Sequence, residues 1–247
     1  MSNKIKEYYD NLKLTQKEFN NNYIVDGIEY PKNIKTHHQE FELFSDNHIN
    51  YMTKLFNLFE VVHNWLEDNN IPYTIYCGNL LGYYRQNYPI LWDDDFDILL
   101  INDKGIEFIN NIWNNNQEIA QPIWDEYWMY KTIIINEKKY LLLKMNFKKN
   151  WFKLLYFEDD LNNLKKYKDL GGIDITYIVN GKDGWEQNVS YIEAHMSKSN
   201  MNNSSIVQYG PVIARVLDKE PSIKYLLDTY GTQYINRNHP YLNKKTV

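Results

Sequence analysis

The chain has 247 residues, 43% of them hydrophobic and 16% aromatic, enough apolar material for one large domain with or without an appended subdomain. A formal net charge of −5 argues against a general nucleic-acid binder, which needs a basic surface. The single cysteine, Cys77, can build neither a disulfide framework nor a cysteine-based zinc site within one chain, and the absence of an apolar leader or a membrane-length apolar run gives the reading of a cytoplasmic protein with no membrane span.

The first 45 residues read as a polar leader with a short helix near 3–20 and a turn-like "DGIEYPKN"; residues 46–247 read as the main domain. A helix is expected from Asp46, a candidate cap, to Asn69, because Ile49, Met52, Phe56, Phe59 and His63 recur at helical spacing. "YTIYCG" reads as a strand, and "NLLGYYRQ" as a short helix that starts just after Gly78. "DFDILLI" is a buried strand and 103–116 a further helix. The stretch "YWMYKTIIINEKKYLLLKMNFKKNWFKLLYF" contains three β-rich runs and predicts an antiparallel meander. "GGIDITYIVN" is another strand, 180–210 is less regular, and "EPSIKYLLDTYG" is a helix with Pro221 near its start and Gly231 as its C-cap. The class is α+β (mixed α/β), with a central mixed sheet flanked by helices.

The segment "LWDDDFDILL" poses the chemical question, since Asp93, Asp94, Asp95 and Asp97 crowd together at the start of an apolar strand. A run of acids in an ordinary chain is a solvated loop. Here the strand puts Asp95 and Asp97 on one face, with Asp93 roughly in line, while Phe96, Ile98 and Leu100 face the core. Carboxylates fixed side by side at a sheet edge suit Mg²⁺ or Mn²⁺, hard cations that take oxygen ligands and share them with phosphates. An EF-hand would need a glycine where Ile98 stands and a glutamate where Lys104 stands. A strand, Gly78 and a helix start precede the acids, so backbone N–H groups and a positive helix end can meet a phosphate. A glycine turn, two acids and a third acid on a later strand make up a nucleotidyltransferase-like palm. The third acid is Asp174, isolated among apolar residues in "GGIDITYIV"; an ion pair with a buried Lys or Arg is the alternative reading of that aspartate.

These residues resemble the LicD family, which includes bacterial phosphocholine transferases and fukutin-related proteins. The family's central motif runs approximately G-T-L-L-G-x-x-R-H-K-G-F-I-P-W-D-D-D-x-D-I. Gly78, Leu80, Leu81, Gly82, Arg85, Ile90, Trp92, Asp93, Asp94, Asp95, Asp97 and Ile98 match it in register. "GGIDITYI" is similar to the strand around the family's third acid, and "EPSIKYLLDTYG" to a late helix ending in Tyr-Gly. Asn79 stands where the family has Thr, Leu91 where it has Pro, and Gln86-Asn87-Tyr88-Pro89 where it has His-Lys-Gly-Phe; this loop is the feature expected to alter substrate choice.

The resemblance implies transfer of a substituted phosphate, phosphocholine- or alditol-phosphate-like, from a CDP-linked donor to a sugar or glycan hydroxyl. It implies Asp95, Asp97 and Asp174 as catalytic and metal-binding residues, Asp93 as a further ligand or neighbour of the metal, and Gly78, Asn79, Arg85 and Lys144 as substrate-binding residues. Arg85 alternatively pairs with Asp93 or Asp94, and Lys144 is alternatively a solvent-facing strand residue. Trp124, Tyr127 and Trp128 form a candidate aromatic wall for a quaternary ammonium. The histidines, among them His37, His38, His195 and His239, show no metal spacing, and His63 reads as a core or boundary residue. Two rival functions are a glycosyltransferase whose D-x-D binds a UDP-sugar and a catalytically silent glycan-binding relative.

Overall fold

The computed structural model describes residues 4–19, 22–35, 40–115, 121–123, 128–145, 151–157, 171–177 and 204–232. Trp124, Tyr127, His37, His38, His195 and His239 lie outside the described residues. The fold is α+β, organised on a seven-stranded mixed sheet.

The N-terminal part begins with α1 (Lys4–Thr15), whose Ile5 and Tyr9 are fully buried in the main core. It continues through β1 (Lys17–Phe19), β2 (Asn22–Val25) and β3 (Ile28–Pro31), an antiparallel sheet of its own, and a small ladder of β4 (Asn33–Lys35) with β5 (Glu40–Glu42). The turn-like "DG" is the two-residue loop of the β2–β3 hairpin: Asp26 and Gly27 both have positive φ, 52° and 78°, as a type I′ turn requires.

Helix α2 (Asp46–Asp68) carries the predicted apolar stripe, with Ile49, Met52, Phe56 and Phe59 buried. Its cap is Ser45 rather than Asp46: the Ser45 side chain accepts from the backbone N–H of His48 at 3.2 Å. β6 (Tyr73–Ile75), α3 (Cys77–Gln86), β7 (Phe96–Leu100) and α4 (Asp103–Asn115) follow. The short β8 (Gln121–Ile123) then leads into the meander β9 (Trp128–Ile135), β10 (Lys138–Met145) and β11 (Trp151–Tyr156). β12 (Ile173–Tyr177) returns to the middle of the sheet. The spatial order is β6-β7-β12-β11-β10-β9-β8, and β7 with β12 is the parallel pair in an otherwise antiparallel ladder.

A hairpin of β13 (Ser204–Tyr209) and β14 (Val212–Leu217) turns at Gly210-Pro211. It is tied to β6 by the Leu217 N–H, which donates to Thr74 Oγ1 at 3.1 Å, and to α2 by an Arg215–Glu67 ion pair. Helix α5 (Lys219–Tyr230) ends at Gly231, with φ 79°, as its sequence predicts. Phe96, Ile98 and Leu100 are buried, and so is Leu99, so β7 is covered on both faces. Among the described residues no helix is long and apolar enough to cross a membrane.

Candidate active site: an acid row closed by a lysine

Sheet register builds the site. Asp97 of β7 pairs with Asp174 of β12, and Asp174 pairs in turn with Lys153 of β11. Residues paired across a sheet share a face, with neighbouring strands about 4.8 Å apart, so Asp97, Asp174 and Lys153 form one row. Asp95 lies in the bend just before β7, two residues from Asp97, and its charge acts on Lys153. Two segments more than seventy residues apart in the chain thus bring their acids together.

Asp174 and Lys153 are both buried, with side chains 6% and 8% exposed, and Lys153 Nζ lies 3.5 Å from Asp174 Oδ1. That oxygen is enclosed and accepts no hydrogen bond of normal geometry. Burial pulls the Lys153 ammonium toward its neutral form, but the attraction of Asp174, then Asp95, then Asp97 outweighs it and holds the lysine pKa above the ordinary value. Asp174 therefore stands beside Asp97 in register and is paired with a buried lysine, the alternative reading of that aspartate. Among the described residues no three His, Cys, Asp or Glu side chains stand close enough to hold a metal ion as placed. The donor set of Asp95, Asp97 and Asp174, all hard oxygens, and the enclosed Asp174 Oδ1 nevertheless fit a small divalent cation.

Lys153 is the residue sequence reasoning missed. Its signal was available, since it interrupts "WFKLLYF" as a lone charge among apolar residues, the same pattern that marked Asp174. Lys144, the lysine implied by the resemblance, pairs with Phe152, which pairs with Ile175 and so with Ile98. It stands on the opposite face of the sheet from the acid row, with its ammonium 5.1 Å from the Phe152 ring and 5.6 Å from Trp113. Burial, then Lys131, lowers its pKa.

The turn before α3 is also arranged differently from its sequence reading. Cys77 opens the helix and carries the positive φ, 51°, a strained conformation for a residue with a Cβ. Gly78 lies within the first turn, and an added Cβ there would sit 2.6 Å from Asp93 Oδ2. The missing side chain admits the Asp93 carboxylate against the N-terminal turn of α3, where the helix dipole favours an anion. Asp93 thus faces α3 rather than extending the row. Asn79, fully buried, accepts from the Asp97 N–H through Oδ1 at 2.6 Å and fixes the first residues of β7. Arg85, 6% exposed, lies in the last turn of α3.

The Gln86–Pro89 loop packs inward. Tyr88 and Pro89 are buried, Gln86 Nε2 donates to Pro89 O at 3.1 Å, and Gly210 of the β13–β14 turn donates to Asn87 O at 2.9 Å. Apolar Tyr and Pro at these positions convert the loop into a packed connection to the hairpin.

Helix α2 positions the acid loop by its main chain. His48 Nδ1 accepts from the Phe44 N–H at 3.2 Å, which leaves Nε2 to donate to Leu91 O at 3.0 Å. One turn on, the Tyr51 hydroxyl donates to Asp94 O at 2.7 Å. Burial, then the neighbouring Asp94, pushes the Tyr51 phenol well above its usual range, so it remains a donor. Gly171, at the entry to β12, lies so close to Asp94 O and Tyr51 Oη that a Cβ there would strike both.

Burial lowers the His48 pKa to about 4 from 6.5. Between those values the unfolded chain binds a proton that the folded chain refuses. His48 therefore contributes fully above pH 6.5, and its contribution declines as pH falls toward 4. Urea unfolding at pH 7.5 and 4.5 is expected to show a loss of about 2–3 kcal/mol from this residue, on top of the loss from carboxylates. His48→Gln should remove that increment; an unchanged pH dependence in the variant would reject the assignment.

On the acid face the row continues past Lys153 to Leu143 and Tyr130. There Tyr130, Leu141, Leu143 and Leu155 form a small separate core, with Trp128 and Phe157 packed against it. Trp128 and Trp151, half-buried, meet edge to face at 6.1 Å, so of the three aromatics expected to form a wall, the one described lies on the acid face. His63, half-buried on α2, is hydrogen-bonded through Nδ1 to Tyr73 Oη at 2.7 Å.

Residues 70–192 match the model of the family described as LicD/FKTN/FKRP, nucleotidyltransferase domain. The matched span runs from the residues before β6 past β12 and so contains Asp93, Asp95, Asp97, Asp174, Lys153 and α3. RP689, an uncharacterized protein of Rickettsia prowazekii (strain Madrid E), is 26% identical to this chain over 164 residues, 60% of this chain and 61% of that protein. The chain thus spans about three fifths of that relative's length.

Proposed function

We propose, from the match of residues 70–192 to the LicD/FKTN/FKRP nucleotidyltransferase domain, that the protein transfers a substituted phosphate from a CDP-linked donor to a sugar or glycan hydroxyl. The observation that carries the proposal is the register pair of Asp97 with Asp174, beside Asp95, inside the matched domain. Three carboxylates on a rigid sheet face suit a reaction whose substrate is a pyrophosphate.

In the reaction, the acceptor oxygen attacks the phosphorus of the transferred group and the bond to the CMP oxygen breaks. CMP leaves with the electron pair, the hydroxyl proton is released, and the product is a phosphodiester. Asp95, Asp97 and Asp174 would hold Mg²⁺ or Mn²⁺, which supplies charge neutralisation for the pyrophosphate oxygens. The chain's own residues provide placement. Asn79 fixes the Asp97 backbone, His48 and Tyr51 fix the loop that carries Asp95, and Lys153 holds Asp174 in the row. The half-buried Trp128 and Trp151 offer aromatic surface beside the row for the substituent on the phosphate.

Incubation with CDP-choline, CDP-ribitol, CDP-glycerol, UDP-sugars and GDP-sugars in Mg²⁺ or Mn²⁺, followed by chromatography of the nucleotide, tests the reading. CMP from a CDP conjugate is the expected result. UDP or GDP release from a nucleotide sugar, with no CMP from any conjugate, would place the attack at an anomeric carbon and reject it.

A further inference from the structure

Lys153 occupies an unusual place for a lysine. It is buried, it lies on the same sheet row as Asp97 and Asp174, and it closes that row on the side of Asp174 away from Asp97. Asp174 therefore has a carboxylate on one flank and an ammonium on the other. A two-metal site needs two cation places about 3.5–4 Å apart, bridged by a shared carboxylate. Here one flank of Asp174, the carboxylate between Asp97 and Lys153 in the row, is already filled by a covalently tethered cation.

We propose that Lys153 is a built-in cation of the site: its ammonium holds one of the two cation places beside Asp174, so the acid row takes up a single divalent ion, and takes it up against competition from Lys153. The proposal rests on the reading of the row as a cation site made under the proposed function, and it adds the number of ions and the residue that sets it. Without a divalent ion, the lysine keeps the buried carboxylate compensated; with one, it shares Asp174.

The test is a titration of the whole chain with Mn²⁺ alone, with free ion followed by electron paramagnetic resonance and melting temperature measured in parallel. Wild type, Lys153→Met and Lys153→Arg are compared, with Lys153→Gln as a second neutral variant should the Met variant fail to fold. The expected result is one Mn²⁺ per wild-type chain, affinity tightened by about ten-fold or more in the neutral variant as a like charge is removed from contact range, and near-wild-type affinity in Lys153→Arg. The melting temperature of the neutral variant should also rise more on adding Mn²⁺ than that of wild type. Two ions per wild-type chain, or equal affinity with and without the lysine charge, overturns the proposal while the cation site stands. No Mn²⁺ bound by folded wild type or folded variant overturns the cation reading, and the proposal with it.

Discussion

Replacing Lys153 by Met is expected to cost about 3–5 kcal/mol of folding free energy in the absence of divalent ions, because the change removes one partner of a buried pair and leaves the Asp174 carboxylate uncompensated. The pair is 6% and 8% exposed, so water cannot take the place of the ammonium. Lys153→Met combined with Asp174→Leu should recover most of the loss, since removing both charges leaves an apolar row continuous with Leu143 and Leu155. Urea unfolding of the two single variants and the double variant measures the coupling directly. A loss below about 1 kcal/mol in Lys153→Met would show that the pair behaves as an exposed one and that burial has been misread.

Asp97→Ala should behave in the opposite way. The Asp97 backbone N–H keeps its bond to Asn79, and β7 keeps its ladder to β6 and β12, because neither depends on the carboxylate. The carboxylate itself stands next to Asp95 and Asp174, so its removal relieves like-charge repulsion in the metal-free chain. The expected result is loss of transferase activity by at least about 10³-fold, since the cation and the pyrophosphate lose a shared ligand, with a melting temperature unchanged or higher. Asp95→Ala should follow the same pattern. A fall of many degrees in both metal-free variants would make these acids structural and remove them from the site.

Much of this arrangement can be read from sequence, and the parts that cannot share a cause. Local pattern gave α2, the β9–β11 meander and α5, because apolar spacing and the flanking Gly and Pro act over a few residues. The adjacency of Asp97 and Asp174 was suggested by an isolated acid on an apolar strand, but the parallel pairing that creates it is a non-local register that no window of sequence contains. The choice between Lys144 and Lys153 turns on the same point. Each is a lysine in an apolar strand, and only the register through Phe152 and Ile175 shows that they stand on opposite faces.

The smaller differences are local competitions. Ser45 takes the cap that Asp46 was expected to provide, and Cys77 carries the left-handed conformation at the turn before α3, while Gly78, expected just before the helix, lies within it and makes room for Asp93. The Asp26-Gly27 turn is legible in "DGIEYPKN", whereas the hairpin at Gly210-Pro211 adjoins the stretch 180–210, whose local pattern is less regular.

The anchoring of the acid loop has an evolutionary side. His48 and Tyr51 hold it through the carbonyl oxygens of Leu91 and Asp94, and every amino acid supplies a carbonyl. The clamp thus fixes the path of the main chain without dictating which side chains stand on it; those answer to other constraints, Leu91 to burial and Asp93 to its fit against Gly78. Loss of either clamping side chain would release that path whatever residues the loop carries, so the burden of preserving it falls one helix away from the acids.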